Sequence, residues 1–322
     1  MKKQTRQRMK KIFLLVLLAV TAAIFSKQYY VTGSSPQGPD SLEVLGPKNY
    51  YPEETEIVNT LISRYHYRKF KLNDSLSSEI FDRYIEVLDH NKSYFLAEDI
   101  SEFEKYKTSF DDFILEGELD KVYDIFKRYR ERANDRFDYV DEILKSDFDF
   151  TLDESFERDR KDAPWSSDNN EANEIWRKRI KNDALNLKLA GKSTDSISIT
   201  LSRRYKNYRK AINQYNSEDI YQLFMNSYTE SVDPHTNYFS PLTSENFKIN
   251  MSLSLEGIGA QLQQEDDYIK IVEIIPGGPA AISKKLNRND KIIGVAQDTD
   301  GEMVDVIGWR VTDVVQLIRG PK

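Results

Sequence analysis

The sequence contains no cysteine, and this absence removes several classes of chemistry from these 322 residues. A disulfide framework, a thiolate zinc site, a lipid-modified cysteine and a cysteine nucleophile are all excluded. Histidine is nearly as scarce, because only His66, His90 and His235 occur, and no two of them have metal-ligand spacing. We therefore expect no metal site and no cofactor.

Net positive charge is also missing. The formal net charge is −7, although the first eleven residues carry six Lys or Arg and no acid, so the remainder stands near −13 (−7 − 6). Binding to nucleic acid requires a basic face that neutralises phosphates, and we expect no such partner. The basic and aromatic stretch at 203–210 instead predicts a helix with a buried tyrosine stripe and a solvated basic face.

Long apolar runs are limited to Ile12–Phe25, fourteen residues without a charge that follow the basic segment. A transmembrane helix needs about twenty such residues, whereas this pattern is typical of a secretory signal. Residues 1–26 are therefore predicted to be a signal peptide or signal anchor, and the protein to be exported to the periplasm or cell envelope. Contact with a membrane is expected only through this segment, if it stays uncleaved.

The rest of the chain divides into three parts by composition and by the spacing of its apolar residues. Residues 27–49 are rich in Pro, Gly and Ser and predict a linker. Residues 50–245 carry apolar residues at helical spacing and predict a helical domain, with an irregular acidic loop at 146–170. From 246 to 322 the period shortens to two, which predicts a small α+β domain. The predicted fold class is thus multidomain, mainly α-helical and then α+β.

Within the helical domain the pattern also predicts local features. Ile57, Leu61 and Tyr65 form one apolar stripe. Asp99 or Ser101 is expected to cap a third helix that continues through Phe113 and is broken by Gly117. Gly191 is well placed to end a later helix.

Two glycines in the segment Glu256-Gly257-Ile258-Gly259-Ala260 precede the first strand pattern. Such a segment can direct successive N–H groups into one concavity that holds a peptide's terminal carboxylate, although an ordinary turn or bulge has the same signature. A later apolar helix beside the strand would leave a groove for a peptide. The residues predicted to bind a substrate tail are Gly257, Ile258, Gly259, Ala260 and Leu262 on the strand side, with Val311, Val314, Val315 and Ile318 on the helix side.

No catalytic residue is assigned. The sequence has no Gly-x-Ser-x-Gly and no Ser-x-x-Lys, and the residues around Ser244 and Lys248 do not predict a nucleophile turn. Asp233-Pro234-His235 is interpreted as a structural corner, because residues separated only by proline cannot easily adopt catalytic-triad geometry.

Several longer motifs resemble the tail-specific proteases, also called C-terminal processing peptidases. GIGAQLQ (257–263), IVEIIPGGPAA (271–281), NDKIIGV (289–295) and VDVIGWRVTDVVQLIRGPK (304–322) resemble the PDZ domain of that family. The stretches at 88–103, 174–185 and 231–241 resemble its N-terminal portion. The resemblance spans residues 50–322 and makes 246–322 a PDZ-like domain. One departure is Asn289, where the family has Gly, and Asn also tolerates a left-handed backbone.

The resemblance implies an envelope serine endopeptidase whose PDZ domain recognises the apolar C-terminal tails of substrates, with a free carboxylate, and couples their binding to proteolysis. In the family a serine nucleophile and a lysine base lie downstream of residue 322, and the PDZ domain closes with a further strand, so the PDZ domain is expected to be incomplete here and the chain a fragment. An adaptor protein on the helical domain is a possible partner. Two alternatives stay open: a membrane-tethered PDZ adaptor without catalysis, and a helical interaction protein with a structural α+β part.

Overall fold

The computed structural model describes residues 44–252, 257–296 and 301–319. The predicted signal and most of the predicted linker lie outside the described residues, as do 320–322. In chain order the helices are α1 (Tyr51–Tyr65), α2 (Asp74–Leu88), α3 (Ala97–Phe103), α4 (Phe110–Glu116), α5 (Asp120–Ile143), α6 (Asn169–Leu189), α7 (Thr194–Asn213), α8 (Ser217–Val232), α9 (Pro241–Ser252), α10 (Pro279–Ser283) and α11 (Val311–Arg319). The strands are β1 (Ala260–Glu265), β2 (Tyr268–Ile274), β3 (Lys291–Ile292), β4 (Gly294–Val295) and β5 (Val304–Asp305).

Helix α5 is shared by two hydrophobic clusters of the helical domain. It has 24 residues, and at about 1.5 Å per residue it is about 36 Å long. Its first half packs with α1, α2, α4 and α8 around rings such as Tyr84 and Phe224. Its second half packs with α6 and α7 around Trp176 and Leu201. One long helix therefore joins both cores.

The predicted glycine stops are confirmed. Gly117 ends α4 with a φ of +71°, and Gly191 follows α6 with a φ of +82°. Both values lie in the left-handed region that favours glycine. At helix starts, the Asn73 side chain accepts the N–H of Leu76, and the Asp168 carboxylate accepts those of Asn170 and Glu171.

The prediction of one continuous third helix is wrong. The segment is broken into α3, a 3₁₀ turn at Glu104–Tyr106 and α4. The hydroxyl of Ser77 fixes the break, because its Oγ donates to Lys107 O (2.9 Å) and accepts the N–H of Phe110 (2.7 Å). Asp99 is not the cap either; it lies inside α3 and accepts the N–H of Leu96 at 2.9 Å.

The apolar stripe of α1 faces outward. Ile57, Leu61 and Tyr65 are 52%, 53% and 76% exposed. The buried face carries Tyr51 and Thr55, which pack on α8: Tyr51 stacks on the ring of Tyr221 at 4.1 Å, and the Thr55 hydroxyl lies 3.0 Å from the Tyr221 hydroxyl. An aromatic stack supported by a hydrogen bond thus orients the helix, rather than its aliphatic stripe.

The part of the chain from residue 257 onward, which we call the C-terminal module, is built on a three-stranded antiparallel sheet of order β1-β2-β3 and a separate β4–β5 pair. Ile269 and Val314 on opposite elements form its core with Val306 and Trp309. Asn289 has a φ of +75°, as predicted for a residue in the place of glycine.

Polar contacts join the module to the helical domain. Lys210 Nζ lies 2.8 Å from Asp267 Oδ1, and Arg310 Nη1 lies 2.6 Å from Asp219 Oδ2. Gln214 Nε2 also donates to the carbonyl of Gly308 at 2.9 Å. Ionic and amide contacts of this kind fix the module beside the end of α7. Across the described ranges, no helix has the length and apolar character needed to cross a membrane.

Candidate peptide-binding groove

Strand β1 and helix α11 form the two walls of a groove and run in opposite directions. Leu262 of β1 packs on the same core as Val311 and Ile318 of α11. At the start of β1, a Cβ placed on Gly257 would lie 4.0 Å from Cγ of Arg319, the last residue of α11. The glycine turn and the C-terminal end of α11 therefore meet at one end of the groove.

The glycine turn is held by its carbonyl groups. The Ile258 carbonyl accepts the N–H of Ala280 at 2.8 Å, and the Gly259 carbonyl accepts that of Ile275 at 2.9 Å. Within the described part of the chain, the N–H groups of Ile258 and Gly259 donate no backbone hydrogen bond. These two N–H groups are therefore candidate donors for an anion, since successive N–H groups of a turn can bind a carboxylate.

Glycine is required at position 259 by both conformation and space. Its φ is +74°, and a Cβ built there would lie 2.9 Å from Gly278 Cα and 3.2 Å from Pro279 Cδ. The facing segment is equally constrained, because Gly277 has a φ of +82° and the Gly278 N–H donates to Ile275 O at 3.1 Å. The two glycine-containing turns pack backbone against backbone.

Strand β1 is at the edge of its sheet. It pairs with β2 on one side, with a register shift between Gln261 and Leu262, and in the described residues it has no strand on its other side. An unpaired strand edge beside a helix can accept a peptide as an additional antiparallel strand. The groove therefore offers main-chain pairing along its length and amide donors at one end.

The structure places most of the predicted tail-binding residues around this groove. Gly257 is exposed, and the half-buried members are Ile258, Gly259, Ala260, Leu262, Val311, Val315 and Ile318. Val314 is the exception, because it is 0% exposed and lies in the module core. Its side chain supports the helix wall from behind and presents no surface to a peptide.

Arg319 was missed by the sequence reasoning. Its guanidinium donates to Asn246 Oδ1 at 3.3 Å, and its Cγ faces the Gly257 position. A cation at the carboxylate end of the groove would add Coulomb attraction to the two amide donors. The signal available in the sequence was a single Arg directly after the apolar helix pattern.

The residues left without a catalytic assignment occupy structural positions. Pro234 lies in a turn closed by the Thr236 N–H on Asp233 O (2.9 Å). His235 Nδ1 and His66 Nε2 lie 3.3 and 3.5 Å from the Asp233 carboxylate, a proximity that the sequence did not predict. Ser244 and Lys248 are on successive turns of α9. In the described ranges, no group of His, Cys, Asp or Glu could hold a metal ion.

Comparison with protein families identifies both parts of the chain. Residues 57–242 match the model of the tail-specific protease N-terminal domain, and residues 246–322 match the PDZ domain model. The chain belongs to the tail-specific protease family. The C-terminal module is accordingly the PDZ domain of a tail-specific protease, as the motifs predicted.

Two relatives illustrate the match. The tail-specific protease of Haemophilus influenzae is 42% identical over 269 residues, which are 83% of this chain and 39% of that protein. The carboxy-terminal processing protease CtpA of Bacillus subtilis is 38% identical over 90 residues, 28% of this chain and 18% of that protein. The chain thus spans about two fifths of the length of the Haemophilus influenzae protein and less of the Bacillus subtilis protein.

A solved structure also matches part of the chain. The PDZ domain of the carboxy-terminal protease from Vibrio cholerae, crystallised in complex with a peptide, is 60% identical. The match covers 21% of this chain and 68% of that one, with a TM-score of 0.20. A score of that size adds nothing to the fold assignment.

Proposed function

We propose that this chain is the substrate-recognition part of a cell-envelope serine endopeptidase. Its groove binds the C-terminal tails of substrate proteins, with apolar terminal residues between β1 and α11 and the free carboxylate on the amides of Ile258 and Gly259. The observation that carries the proposal is the coincidence, at one end of the groove, of two amide donors and Arg319.

The proposed mode has a physical basis at each step. The edge of β1 provides main-chain hydrogen bonds to a tail that adds as an antiparallel strand. Val311, Val315 and Ile318 line the helix side with half-buried apolar surface, which favours apolar tail residues at about 25 cal/mol per Å² removed from water. The amide donors and the cation favour an ionised carboxylate over a neutral amide.

The first test measures binding of an apolar tail peptide to the chain by isothermal titration calorimetry. We expect the peptide with a free carboxylate to bind at least tenfold more tightly than the same peptide with a C-terminal amide, a difference of about 1.4 kcal/mol. Equal affinities would remove the carboxylate site.

A matched pair of variants locates the groove. Val315→Asp places a charge on the half-buried groove wall, whereas Gln316→Asp adds the same charge at an exposed position on the same helix. We expect Val315→Asp to reduce affinity at least tenfold, since an unpaired charge there is desolvated by the peptide. Gln316→Asp should change it less than twofold. Similar effects of the two variants would contradict the groove assignment.

The catalytic part of the proposal concerns the longer protein. The two relatives described above are named proteases and extend well beyond the matched region. We propose a serine nucleophile with a lysine base in a segment outside this chain, and export directed by Ile12–Phe25. The alternative, a PDZ adaptor without catalysis, predicts that protein made from the complete gene leaves a bound tail peptide uncut.

A further inference from the structure

A cleft separates the start of α11 from the end of α7. Its volume is about 420 Å³, within the range of ligand pockets, about 300–1,000 Å³. The helical domain contributes polar side chains to one wall, from α7 and the residue just after it, and the PDZ domain contributes them to the other wall. Those that matter here are Asn207, Lys210, Gln214, Gln264, Arg310 and Thr312.

The cleft continues the peptide groove. Gln264 lies one residue before the end of β1, and Val311 is the first residue of α11, so both groove walls end in the cleft. The glycine turn and Arg319 lie at the opposite end. A tail that leaves the groove on its N-terminal side must therefore pass between the PDZ domain and α7.

The length of the groove sets which tail residues reach the cleft. An antiparallel peptide advances about 3.4 Å per residue. Four steps along β1, from Ala260 to Gln264, then cover about 14 Å on the same spacing. With the C-terminal residue beside Ala260, the residue four positions upstream is beside Gln264, and the next two lie in the cleft.

Two of the three charged side chains that line the cleft are paired, and the third is Asp266. Lys210 Nζ is bound to Asp267 Oδ1 at 2.8 Å, and Arg310 Nη1 to Asp219 Oδ2 at 2.6 Å. Asp266 is exposed, and its carbonyl accepts from Lys210 and Gln264, while its carboxylate has no ion pair among the described residues. The walls thus disfavour an acidic tail side chain. What they offer is hydrogen bonding, because Asn207 is exposed and Gln214 uses only its Nε2, toward Gly308 O.

We propose that this cleft is a second recognition subsite, which binds polar side chains four to six positions upstream of the C-terminal residue of a tail. The proposal rests on the proposed function of the groove. In this proposal the helical domain contacts the substrate directly, so selectivity for the tail depends on the helical domain and the PDZ domain together.

The test uses the whole chain and three unlabelled peptides in calorimetry. All end in the same four apolar residues with a free carboxylate: one stops there, one extends to ten residues with Ser and Asn four to six positions upstream, and one has Leu at those positions. We expect the polar long peptide to bind at least fivefold more tightly than the other two. Equal affinity of the polar and leucine peptides would overturn the polar preference.

Two tryptophan substitutions on α7 locate the subsite. Ala211→Trp fills the cleft from an exposed lining position, and Ser202→Trp is the control, nine residues away on the opposite helix face and also exposed. We expect Ala211→Trp to weaken the polar long peptide at least fivefold and to leave the four-residue peptide unchanged. Ser202→Trp should change neither.

The failures are distinguishable. If the four-residue peptide binds and Ala211→Trp leaves the polar long peptide unaffected, or weakens both peptides equally, the subsite is excluded while the groove stands. If the four-residue peptide does not bind the unmodified chain, the groove function itself is refuted, and the subsite with it.

Discussion

The largest fully buried side chains, aromatic rings such as Trp176, Tyr84 and Phe224, lie in the helical domain. In the described residues of the PDZ domain, the core cluster is Trp309 with three residues that are 0% exposed, Ile269, Val306 and Val314. The helical rings contact one another in edge-to-face pairs, for example Tyr84 with Phe224 at 6.1 Å. Burial of more apolar area makes a larger favourable contribution to the free energy of unfolding. The comparison indicates that the helical domain is the more stable of the two and that the PDZ domain is more easily deformed.

The largest effect should come from the helical core. Leu201→Ala deletes a side chain that is 0% exposed, while Leu189→Ala deletes one that is 78% exposed on the neighbouring helix. We expect Leu201→Ala to lower the free energy of unfolding by about 2–5 kcal/mol and Leu189→Ala by less than about 0.5. Urea unfolding followed by circular dichroism measures both.

Hydrogen exchange on a variant of the PDZ core tests whether the two domains unfold separately. Val314→Ala should cost about 2 kcal/mol, and hydrogen exchange should then lose protection in β1 and β2 while α5 keeps it. Equal loss in α5 would show that the two cores are one cooperative unit.

A second effect is the pH dependence of the stability of the helical domain. Asp99 is 0% exposed and binds Arg132 and Arg128 at 2.8 and 2.6 Å. Burial raises its pKa, but the hydrogen bonds from Arg132, from the Leu96 N–H and from Arg128 outweigh burial and lower it. A folded pKa below the unfolded one contributes stability above the unfolded value, which is lost as pH falls through the folded value.

Comparison of Asp99→Asn with the unmodified chain tests this pH dependence. We expect the variant to be about 1.5–3 kcal/mol less stable at pH 7, as for hydrogen bonds to a charged group. The difference should shrink below the ordinary Asp pKa of about 3.9. Thermal melts at pH 7 and pH 3 measure it, and a difference independent of pH would contradict the assignment to the charge.

The smallest effect concerns the cost of adding a Cβ in the glycine turn of the PDZ domain. Gly259 and Gly191 both have left-handed φ values, but only at Gly259 would a Cβ meet backbone, at 2.9 Å. We expect Gly191→Ala to cost about 1 kcal/mol for conformation alone, and Gly259→Ala to cost about 1 kcal/mol more, in the range for overpacking. Chemical denaturation compares the two costs when it is followed in the helical domain for Gly191→Ala and in the PDZ domain for Gly259→Ala. Equal costs would mean that the backbone of the Gly259 turn shifts to accept a Cβ.

Sequence periodicity predicted most of the helices, because helix formation depends on local pattern. The candidate groove was predicted from the glycine segment and the later apolar helix, and it stays a prediction. Gly117, Gly191 and Asn289 were predictable from residue type, because glycine and asparagine tolerate the left-handed conformations that they adopt. The break after α3 was missed because it depends on Ser77, which is distant in sequence. The burial of Val314 was missed because an apolar helix pattern does not separate the core face from the groove face of α11.

The contribution of α7 to the groove could not be predicted for the same reason. The pairing of Lys210 with Asp267 joins residues on two bodies, and no local pattern reports such a contact. Family motifs identified each domain but not their arrangement. The candidate groove was therefore predictable from the sequence, whereas its continuation was not.

The open edge of β1 has a consequence for handling the protein. Between Ala260 and Gln264 the strand carries no charged side chain, and charges on an edge strand are a usual protection against aggregation. Two copies at high concentration could satisfy each other's unpaired strand edges. A bound tail would cover that surface, so ligand should act as a solubilising agent during concentration and storage.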